Sequence, residues 1–323
     1  MALNALLYSA DAPDRVLTAL AGLDVPRGDR ELLWLDLADP TRAEVEQAAA
    51  WLGCDAELLR VEDARDDRPS LSNLGEMFRV TAVAAALDRS KSNIEAGHLT
   101  LLAARNLVVT IHERPLSFLD ELREREKGET AIGVLASETF VASLLDRLLD
   151  SYFRAVEVLV HDIDRVEVTI LGRRVPPQFL ALLVAARKRV SELRRMLKSH
   201  RDVFYGMARP DFIATEEGAR AHFEALDRRF ERAEDEVETA RDLVIGSFEL
   251  LSTRAAQTMN ETMRTLTFVT VLMGVLALIA GVMGMNFSMP LFEAGAPGFY
   301  TVVGIMLLLT VVSAWVARRR AWI

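Results

Sequence analysis

Two long stretches without a charged residue dominate the C-terminal part of the sequence. The first runs from Thr265 to Phe292, and the second runs from Ala294 to Ala317, after the single charge of Glu293. A bilayer core of about 30 Å is crossed by about 20 apolar residues in a helix, so each stretch is long enough to span it once. We therefore predict a transmembrane hairpin over residues 265–323, with spans at about 265–285 and 298–317. Two buried core helices of a soluble protein are the alternative.

The flanking charges predict the orientation of this hairpin. Arg264 precedes the first stretch, residues 318–320 are all arginine, and the intervening loop contains no Lys or Arg. Because basic residues accumulate on the cytoplasmic side, both chain ends should be cytoplasmic and the loop at about 286–298 should face outward. The N-terminus lacks the basic leader and apolar core of a secretory signal, so residues 1–264 are expected in the cytoplasm. We expect a multi-pass protein of the cell inner (plasma) membrane.

The first part of the chain mixes strand and helix signals. Thr41 and Glu44 form a capping box that should open a helix ending near Leu52. A cytoplasmic α/β domain is therefore predicted over residues 1–136. Its strands are expected where short apolar and β-branched runs are bounded by turn formers, at 32–37, 78–87, 97–104 and 106–112.

From about Ser137 onward, helical periodicity replaces the strand signals. Helices are predicted near 137–171, 177–205 and 211–264, and we assign 137–264 to a cytoplasmic helical region whose last helix is a long stalk. An apolar stripe on this stalk continues without proline into the first membrane span, so one helix could extend from about 211 to 284 and should pack against copies of itself. The stripe comprises Phe223, Leu226, Phe230, Ala233, Val237, Ala240, Val244, Phe248 and Leu251.

The opposite face of the stalk is acidic, with ten Asp or Glu against five Arg between Glu216 and Asp242. A solvated coiled-coil face is one interpretation, and a surface that attracts or senses cations is the other. The net charge of −9 disfavours nucleic acid as a partner and suits the attraction of cations. Cys54 is the only cysteine, so a disulfide within one chain is impossible.

One face of the first membrane helix collects small and polar residues. Close helix packing in lipid is one explanation. The asparagines at its two ends, Asn260 and Asn286, favour a face turned toward protein or water, because an unpartnered amide is costly in lipid. At steps of three or four residues this face contains Asn260, Met263, Thr267, Thr270, Gly274, Ala277 and Gly281.

Several copies around an axis would turn this face into a pore. Asn286 would form a ring of amide oxygens at the outer mouth, and Met263 with Leu266 would form an apolar constriction near the inner one. Such a ring could hold Mg²⁺ through the hydration shell that this ion sheds reluctantly. Neither membrane helix contains His, Cys, Asp or Glu, so a site for dehydrated Zn²⁺ is not expected there, whereas hydrated Zn²⁺ remains compatible.

Other candidate sites are weaker. His161, Asp162 and Asp164 point in different directions on a helix, so one shared ion is not expected. The acidic residues in VEDARDDRP favour an arginine-balanced turn. The sequence contains neither a glycine-rich phosphate loop nor a nucleophile elbow, and we do not expect an enzyme.

The sequence resembles the CorA-type divalent-metal transporters, a family with a zinc-transporting branch. The resemblance covers nearly the whole chain, and its most specific element is the Gly284-Met285-Asn286 tripeptide after the first span. The basic and tryptophan-containing end RRRAWI fits the same pattern. Further similar stretches are NETMRTLT at 260–267, WLDLADPT at 34–41, VEDARDDRP at 61–69 and VVTIHERP at 108–115.

The resemblance implies a CorA-like homopentamer in the lipid bilayer, with a cytoplasmic α/β funnel and a pore lined by the first membrane helices. Gly284, Met285 and Asn286 would form the outer selectivity filter, and Asn286 would hold the hydrated ion. Met263 and Leu266 would match the hydrophobic gate. The remaining implied positions are Asn260 as a polar ring, Glu249 as an acidic ring in the stalk and Glu293 in the outer loop.

The ion itself remains open. Val275 and Ala277 stand where the family often has Pro and Thr, and the loop reads MPLFE rather than continuing Met-Pro-Glu-Leu. We expect a channel or facilitator for Mg²⁺, with Co²⁺ and Ni²⁺ as further substrates. No cofactor is expected besides the divalent cation, as transported ion and as candidate regulatory ion. A zinc transporter or exporter, proton-coupled or not, is the alternative within the family. A membrane-anchored scaffold or metal sensor is the alternative from another class.

Overall fold

The structure is a computed structural model that describes residues 3–17, 30–60, 68–87, 94–125, 132, 135–172, 178–212, 217–285 and 295–320. The chain forms two compact units, Met1–Ser247 and Phe248–Ile323. The first unit contains a sheet with helices on both faces, and the second contains the apolar helices.

The described part of the first unit contains a seven-stranded sheet in the order β2-β1-β3-β7-β6-β5-β4. Neighbouring strands are antiparallel except for the central pair β3 and β7, which is parallel. The four predicted strands are confirmed as β3, β5, β6 and β7, whereas β1, β2 and β4 were missed. The strands are β1 Leu3–Ser9, β2 Arg15–Leu17, β3 Glu31–Ala38, β4 Ser70–Asn73, β5 Met77–Leu87, β6 Ile94–Ala104 and β7 Leu107–His112.

The helices follow the predicted order with the corrections given below. The apolar stripe of the stalk was expected to pack against copies of itself, but Phe223, Phe230 and Val237 are already buried within one chain. The capping box is confirmed, because the Thr41 N–H donates to Glu44 Oε2 (2.8 Å) and the Glu44 N–H donates to Thr41 Oγ1 (3.4 Å). The described helices are α1 Arg42–Leu52, α2 Ser117–Arg125, α3 Ser137–Ile170, α4 Gln178–Lys198, α5 Arg201–Ala208, α6 Glu217–Met283 and α7 Ala296–Arg319.

Two predicted helix boundaries were wrong. The helix expected over 177–205 is interrupted at Ser199 and His200, which separate α4 from α5. Asp211 and Phe212, where the stalk helix was expected to begin, instead lie in a turn in which the Phe212 N–H donates to the Arg209 carbonyl (3.1 Å), and the helix is described from Glu217. The separation from the helix that begins near 211 was predicted from the sequence, whereas the interruption at Ser199 and His200 was missed.

Helices cover the two faces of the sheet. On one face Leu35 and Val109, from the parallel pair, belong to one buried cluster with Val45 and Ala48 of α1. On the other face the ring of Trp34 lies edge-on against Phe140 of α3, with the ring centroids 5.5 Å apart. Burial on both faces explains why β3 and β7 are almost continuously apolar.

Three side chains close the exposed edge of β5. The short β4 pairs only with the first half of β5, so the later backbone groups on that edge need other partners. His200 Nε2 accepts from the Val83 N–H (2.8 Å), Tyr152 Oη donates to the Val83 carbonyl (2.7 Å), and Ser151 Oγ accepts from the Ala85 N–H (3.1 Å). The interruption between α4 and α5 therefore places His200 against the sheet.

Polar contacts align α3 with the first part of α6. Arg229 donates to both carboxylate oxygens of Asp146 (2.7 Å each) and also pairs with Asp150. Farther along both helices, Ser247 Oγ donates to Glu167 Oε1 (2.6 Å). Because both residue numbers increase together, α3 and α6 run parallel. Burial, together with the charge of Asp150, raises the pKa of Asp146 above its ordinary value despite the opposing charge of Arg229.

Tyr152→Phe should destabilise the first unit. The variant leaves the buried Val83 carbonyl without its hydroxyl donor, which costs about 1–3 kcal/mol of unfolding free energy. Thermal unfolding of the detergent-solubilised full chain, followed by near-UV circular dichroism, measures this loss. The exposed Tyr205 provides a matched control, since Tyr205→Phe should leave the midpoint unchanged. Equal midpoints for both variants would contradict the role of Tyr152.

His200 should make stability depend on pH. Burial lowers its pKa from 6.5 to about 4, although the Met196 and Leu197 carbonyls oppose the shift. Between these values the unfolded chain binds more protons than the folded chain. The unfolding free energy should therefore fall as the pH falls through this window, by up to about 3 kcal/mol. The same thermal assay, run between about pH 7 and pH 5, should show this slope.

The control for this prediction is His200→Gln, which removes the titrating group and should remove the loss of stability toward acid. The other buried histidine, His112, has the opposite sign. Burial by itself lowers the pKa of His112, but the hydrogen bond to Asp36 and the charge of Asp36 together raise it by more. The pKa of His112 is therefore raised above 6.5. The stabilisation of the folded state by His112 is therefore fully present at low pH and is lost as the pH rises through the raised pKa. An undiminished acid slope in His200→Gln would contradict the assignment.

Candidate ion pathway

The second unit contains two helices that pack through one face each. Among the described residues, α6 and α7 are the helices long and apolar enough to cross a membrane, in agreement with the two predicted spans. Their partly or fully buried positions recur at steps of three or four residues, so each helix covers one face of the other. On α6 these are Thr265, Phe268, Leu272, Leu276, Ile279 and Met283; on α7 they include Gly298, Val302, Met306, Leu309, Ser313 and Ala317.

The predicted pore residues lie on the opposite face of α6. Gly274 is two residues from both Leu272 and Leu276, which is about 200° around a helix. The chain itself therefore leaves this face uncovered. The residues exposed on it are Asn260, Met263, Leu266, Thr267, Thr270, Gly274, Ala277 and Gly281.

The polar groups on this face differ from those elsewhere on the helix. The hydroxyls of Thr262 and Thr265 donate to the carbonyls four residues earlier, at 2.9 and 3.0 Å. Such bonds satisfy a threonine inside its own helix. In contrast, Thr267 and Thr270 make no side-chain hydrogen bond to a described residue, and neither does Asn260. Their polar atoms thus remain available to water or to a hydrated ion.

The helix ends in a turn just before the predicted selectivity tripeptide is complete. The Gly284 N–H lies 3.0 Å from the Ala280 carbonyl oxygen, and the Met285 N–H donates to the Val282 carbonyl (3.2 Å). A Cβ on Gly284 would approach other atoms no closer than 3.5 Å, which is ordinary contact. Among the described atoms of one chain, none therefore requires glycine at this position.

Three other predicted site residues are Asn286, Glu293 and Glu249. Asn286 and Glu293 lie outside the described residues. Glu249 is exposed on α6, eleven residues before Asn260 and so on nearly the same face. The part of the chain that the structure describes contains no group of three or more His, Cys, Asp or Glu residues arranged to hold a metal ion. Asp162, weighed as a ligand from the sequence, instead pairs with Arg189 (3.0 Å).

Sequence reasoning missed a buried polar cluster at the end of the parallel strands. Asp36 accepts a hydrogen bond from Thr110 Oγ1 (2.5 Å) and lies 3.3 Å from both His112 Nε2 and an Arg123 nitrogen. His112 Nδ1 is in turn 2.6 Å from the Arg114 carbonyl. Polar residues inside otherwise apolar strands were the available signal. Because Asp36 and His112 are fully buried, this cluster holds strand ends together.

Comparisons with known proteins extend this geometry. A family model described as CorA-like Mg²⁺ transporter protein matches residues 29–319. The cobalt/magnesium transport protein CorA of Methanocaldococcus jannaschii is 24% identical over 305 residues, which cover 91% of this chain and 92% of that protein. The zinc transport protein ZntB of Klebsiella pneumoniae subsp. pneumoniae is 25% identical over 270 residues, covering 79% and 77%.

Solved structures have the same fold. The complete structure of the Methanocaldococcus jannaschii CorA magnesium transporter matches with a TM-score of 0.75 at 20% identity, covering 100% of this chain and 99% of that chain. The full-length CmaX protein matches with a TM-score of 0.71 at 24% identity, covering 99% and 97%. The similar proteins are named for transport, in agreement with the prediction that the chain is not an enzyme. The family model matches nearly the whole sequence, and this chain therefore belongs to the CorA-like Mg²⁺ transporter family of divalent-cation transporters.

Proposed function

We propose that the chain assembles as a homopentamer around an axis lined by the uncovered face of α6, and that hydrated divalent cations pass along this axis. The observation that carries the proposal is the position of the small and polar face, opposite the face that α7 covers. In lipid, the hydroxyls of Thr267 and Thr270, which bond to no described residue, would be costly. Copies around a water-filled axis remove that cost.

The proposed pathway has three levels. At its outer end, Asn286, supported by Gly284 and Met285, forms a neutral ring that selects ions through their hydration shells. Met263 and Leu266, whose exposed fractions are 52% and 58%, form an apolar constriction that gates by dewetting. Below it, Asn260 and the exposed carboxylate of Glu249 attract cations from the cytoplasmic side. Glu293 adds a charge to the outer loop.

We propose Mg²⁺ as the main substrate, with Co²⁺ and Ni²⁺ as further ions. The membrane part of α6 contains no His, Cys, Asp or Glu, which favours an ion that keeps its water over one bound directly by nitrogen or sulfur. Hydrated Zn²⁺ is the alternative, supported by the similarity to a zinc transport protein. In that alternative, the protein would export zinc or would couple zinc transport to protons.

The driving force need not involve ATP. In an inner membrane with the basic residues Arg264, Arg318 and Arg319 on the cytoplasmic side, both termini are cytoplasmic. An inward field then acts on a doubly charged ion with about 4.6 kcal/mol per 100 mV, which is sufficient for uptake.

Asn286→Ala tests the filter. We expect metal flux into proteoliposomes to lose its discrimination among Mg²⁺, Zn²⁺, Co²⁺ and Ni²⁺, while size-exclusion chromatography shows the assembly unchanged. The assay is run with and without a pH gradient to expose proton coupling. Ser313→Ala, which replaces a small polar residue on the covered face of α7, is the control and should retain flux. Unchanged selective flux in Asn286→Ala would refute the filter, and no flux from well-folded unaltered protein would favour a scaffold or sensor.

Gly274→Leu tests the pore face independently of the filter. A Cβ at Gly274 meets no atom within 4 Å in one chain, so the fold of the chain should tolerate leucine. Flux should nevertheless be abolished, because five added side chains would narrow the proposed axis. Gly304 on α7 is the matched control, since it is equally unobstructed and Gly304→Leu should retain flux. Equal flux from the two variants would place the pore elsewhere.

A further inference from the structure

The α3–α4 hairpin exposes an unusual concentration of apolar side chains at its tip. We define the tip as the end of α3 from Val168 and the start of α4 up to Val184, excluding 173–177, which the structure does not describe. Of the nine exposed large apolar residues described in unit Met1–Ser247, five belong to this tip. Their exposed fractions are 73% for Val168, 59% for Leu171, 55% for Leu180, 48% for Leu182 and 53% for Val184.

These side chains surround the hairpin rather than form one face. Leu182 lines a groove of about 550 Å³ between α3 and α4, together with Val166 and Phe179. Leu180 is two residues away from Leu182 and so points about 200° around α4, away from that groove. A folded protein partner would cover one side of such a hairpin. A lipid surface can surround its end.

The charge around the tip has the opposite sign to that of the chain. Between Glu167 and Glu192 the sequence contains no acidic residue but five basic ones, whereas the whole chain has a net charge of −9. Arg165 and Arg187 are exposed, and the side chain of Lys188 is 78% exposed with a distant partner in Glu192 (3.9 Å). Apolar side chains bordered by basic residues are typical of segments that bind anionic membrane surfaces.

The position of the tip within the first unit fits this interpretation. Because α3 runs parallel to α6, contacts progress from Arg229 with Asp146 to Ser247 with Glu167. Glu167 directly precedes the tip, and Ser247 is the last residue of the unit. The tip therefore lies at the end of the unit from which α6 leaves toward the membrane spans.

We propose that this tip is a membrane contact, with its apolar side chains in the interfacial layer of a bilayer and Arg165, Arg187 and Lys188 against anionic headgroups. This contact would anchor the first unit to the lipid surface independently of which ion is transported. It rests on the membrane location of the family and not on the proposed pore.

Depth-dependent fluorescence quenching tests the proposal in the full chain. On a Cys54→Ala background, Leu180→Cys is labelled with an environment-sensitive fluorophore and reconstituted into nanodiscs with brominated acyl chains, with or without phosphatidylglycerol. We expect quenching at residue 180 when the anionic lipid is present. Tyr205→Cys is the matched control, because Tyr205 is exposed in the same unit but lies beyond the opposite end of α4 and should not be quenched.

Charge reversal separates the attraction to anionic headgroups from the insertion of apolar side chains. Arg187→Glu combined with Lys188→Glu should abolish the quenching at residue 180, as should nanodiscs of phosphatidylcholine alone, while size-exclusion chromatography confirms the assembly. Equal quenching at residues 180 and 205, or none at 180 in anionic nanodiscs, would overturn the proposal. Cysteine cross-linking between copies at residue 180 without quenching would instead place the tip on a neighbouring chain. Since flux is not measured, none of these outcomes depends on the pore.

Discussion

A peptide group inside a bilayer finds no water to bond with, and the architecture of the second unit follows from that constraint. Helices satisfy it, which explains why α6 continues unbroken to Met283 and α7 runs over Ala296–Arg319. A single hairpin covers only one face of each helix. The face of α6 with Gly274 and Gly281 is therefore left to other molecules, and its composition of small and polar residues suits close neighbours and water better than lipid.

The first unit solves a comparable problem at the edge of its sheet. The later half of β5 has no neighbouring strand at its β4 side, and an open edge invites unwanted pairing. His200, Tyr152 and Ser151 form hydrogen bonds with the unpaired backbone groups of Val83 and Ala85. Side chains from the helices therefore close this edge of the sheet. The same contacts tie α3 and the α4–α5 junction to the sheet, and Arg229 then ties α3 to α6. Within the first unit, packed elements thus connect the sheet to the first part of α6.

Family membership establishes a divalent-cation transporter, while the choice of ion depends on details that differ from the family pattern. Val275 replaces a frequent proline, and α6 accordingly passes through this position without interruption. Ala277 removes a hydroxyl from the uncovered face, leaving Thr267 and Thr270 as its hydroxyl groups. In the proposed pore, fewer fixed oxygen atoms would leave more of the coordination to the ion's own water, whichever divalent cation is transported.

The sequence by itself determined the features that depend on local periodicity: the two membrane helices, the four central strands, the capping box at Thr41 and the set of residues on one face of α6. These features need only neighbours a few residues apart. Tertiary structure alone decided that α7 covers the opposite face, that α4 and α5 separate at His200, and that Asp36 meets Thr110 and His112. Val83 and His200 are 117 residues apart, and Val83 and Tyr152 are 69 apart. Such contacts depend on how the chain returns upon itself, and a repeating pattern in the sequence does not encode that.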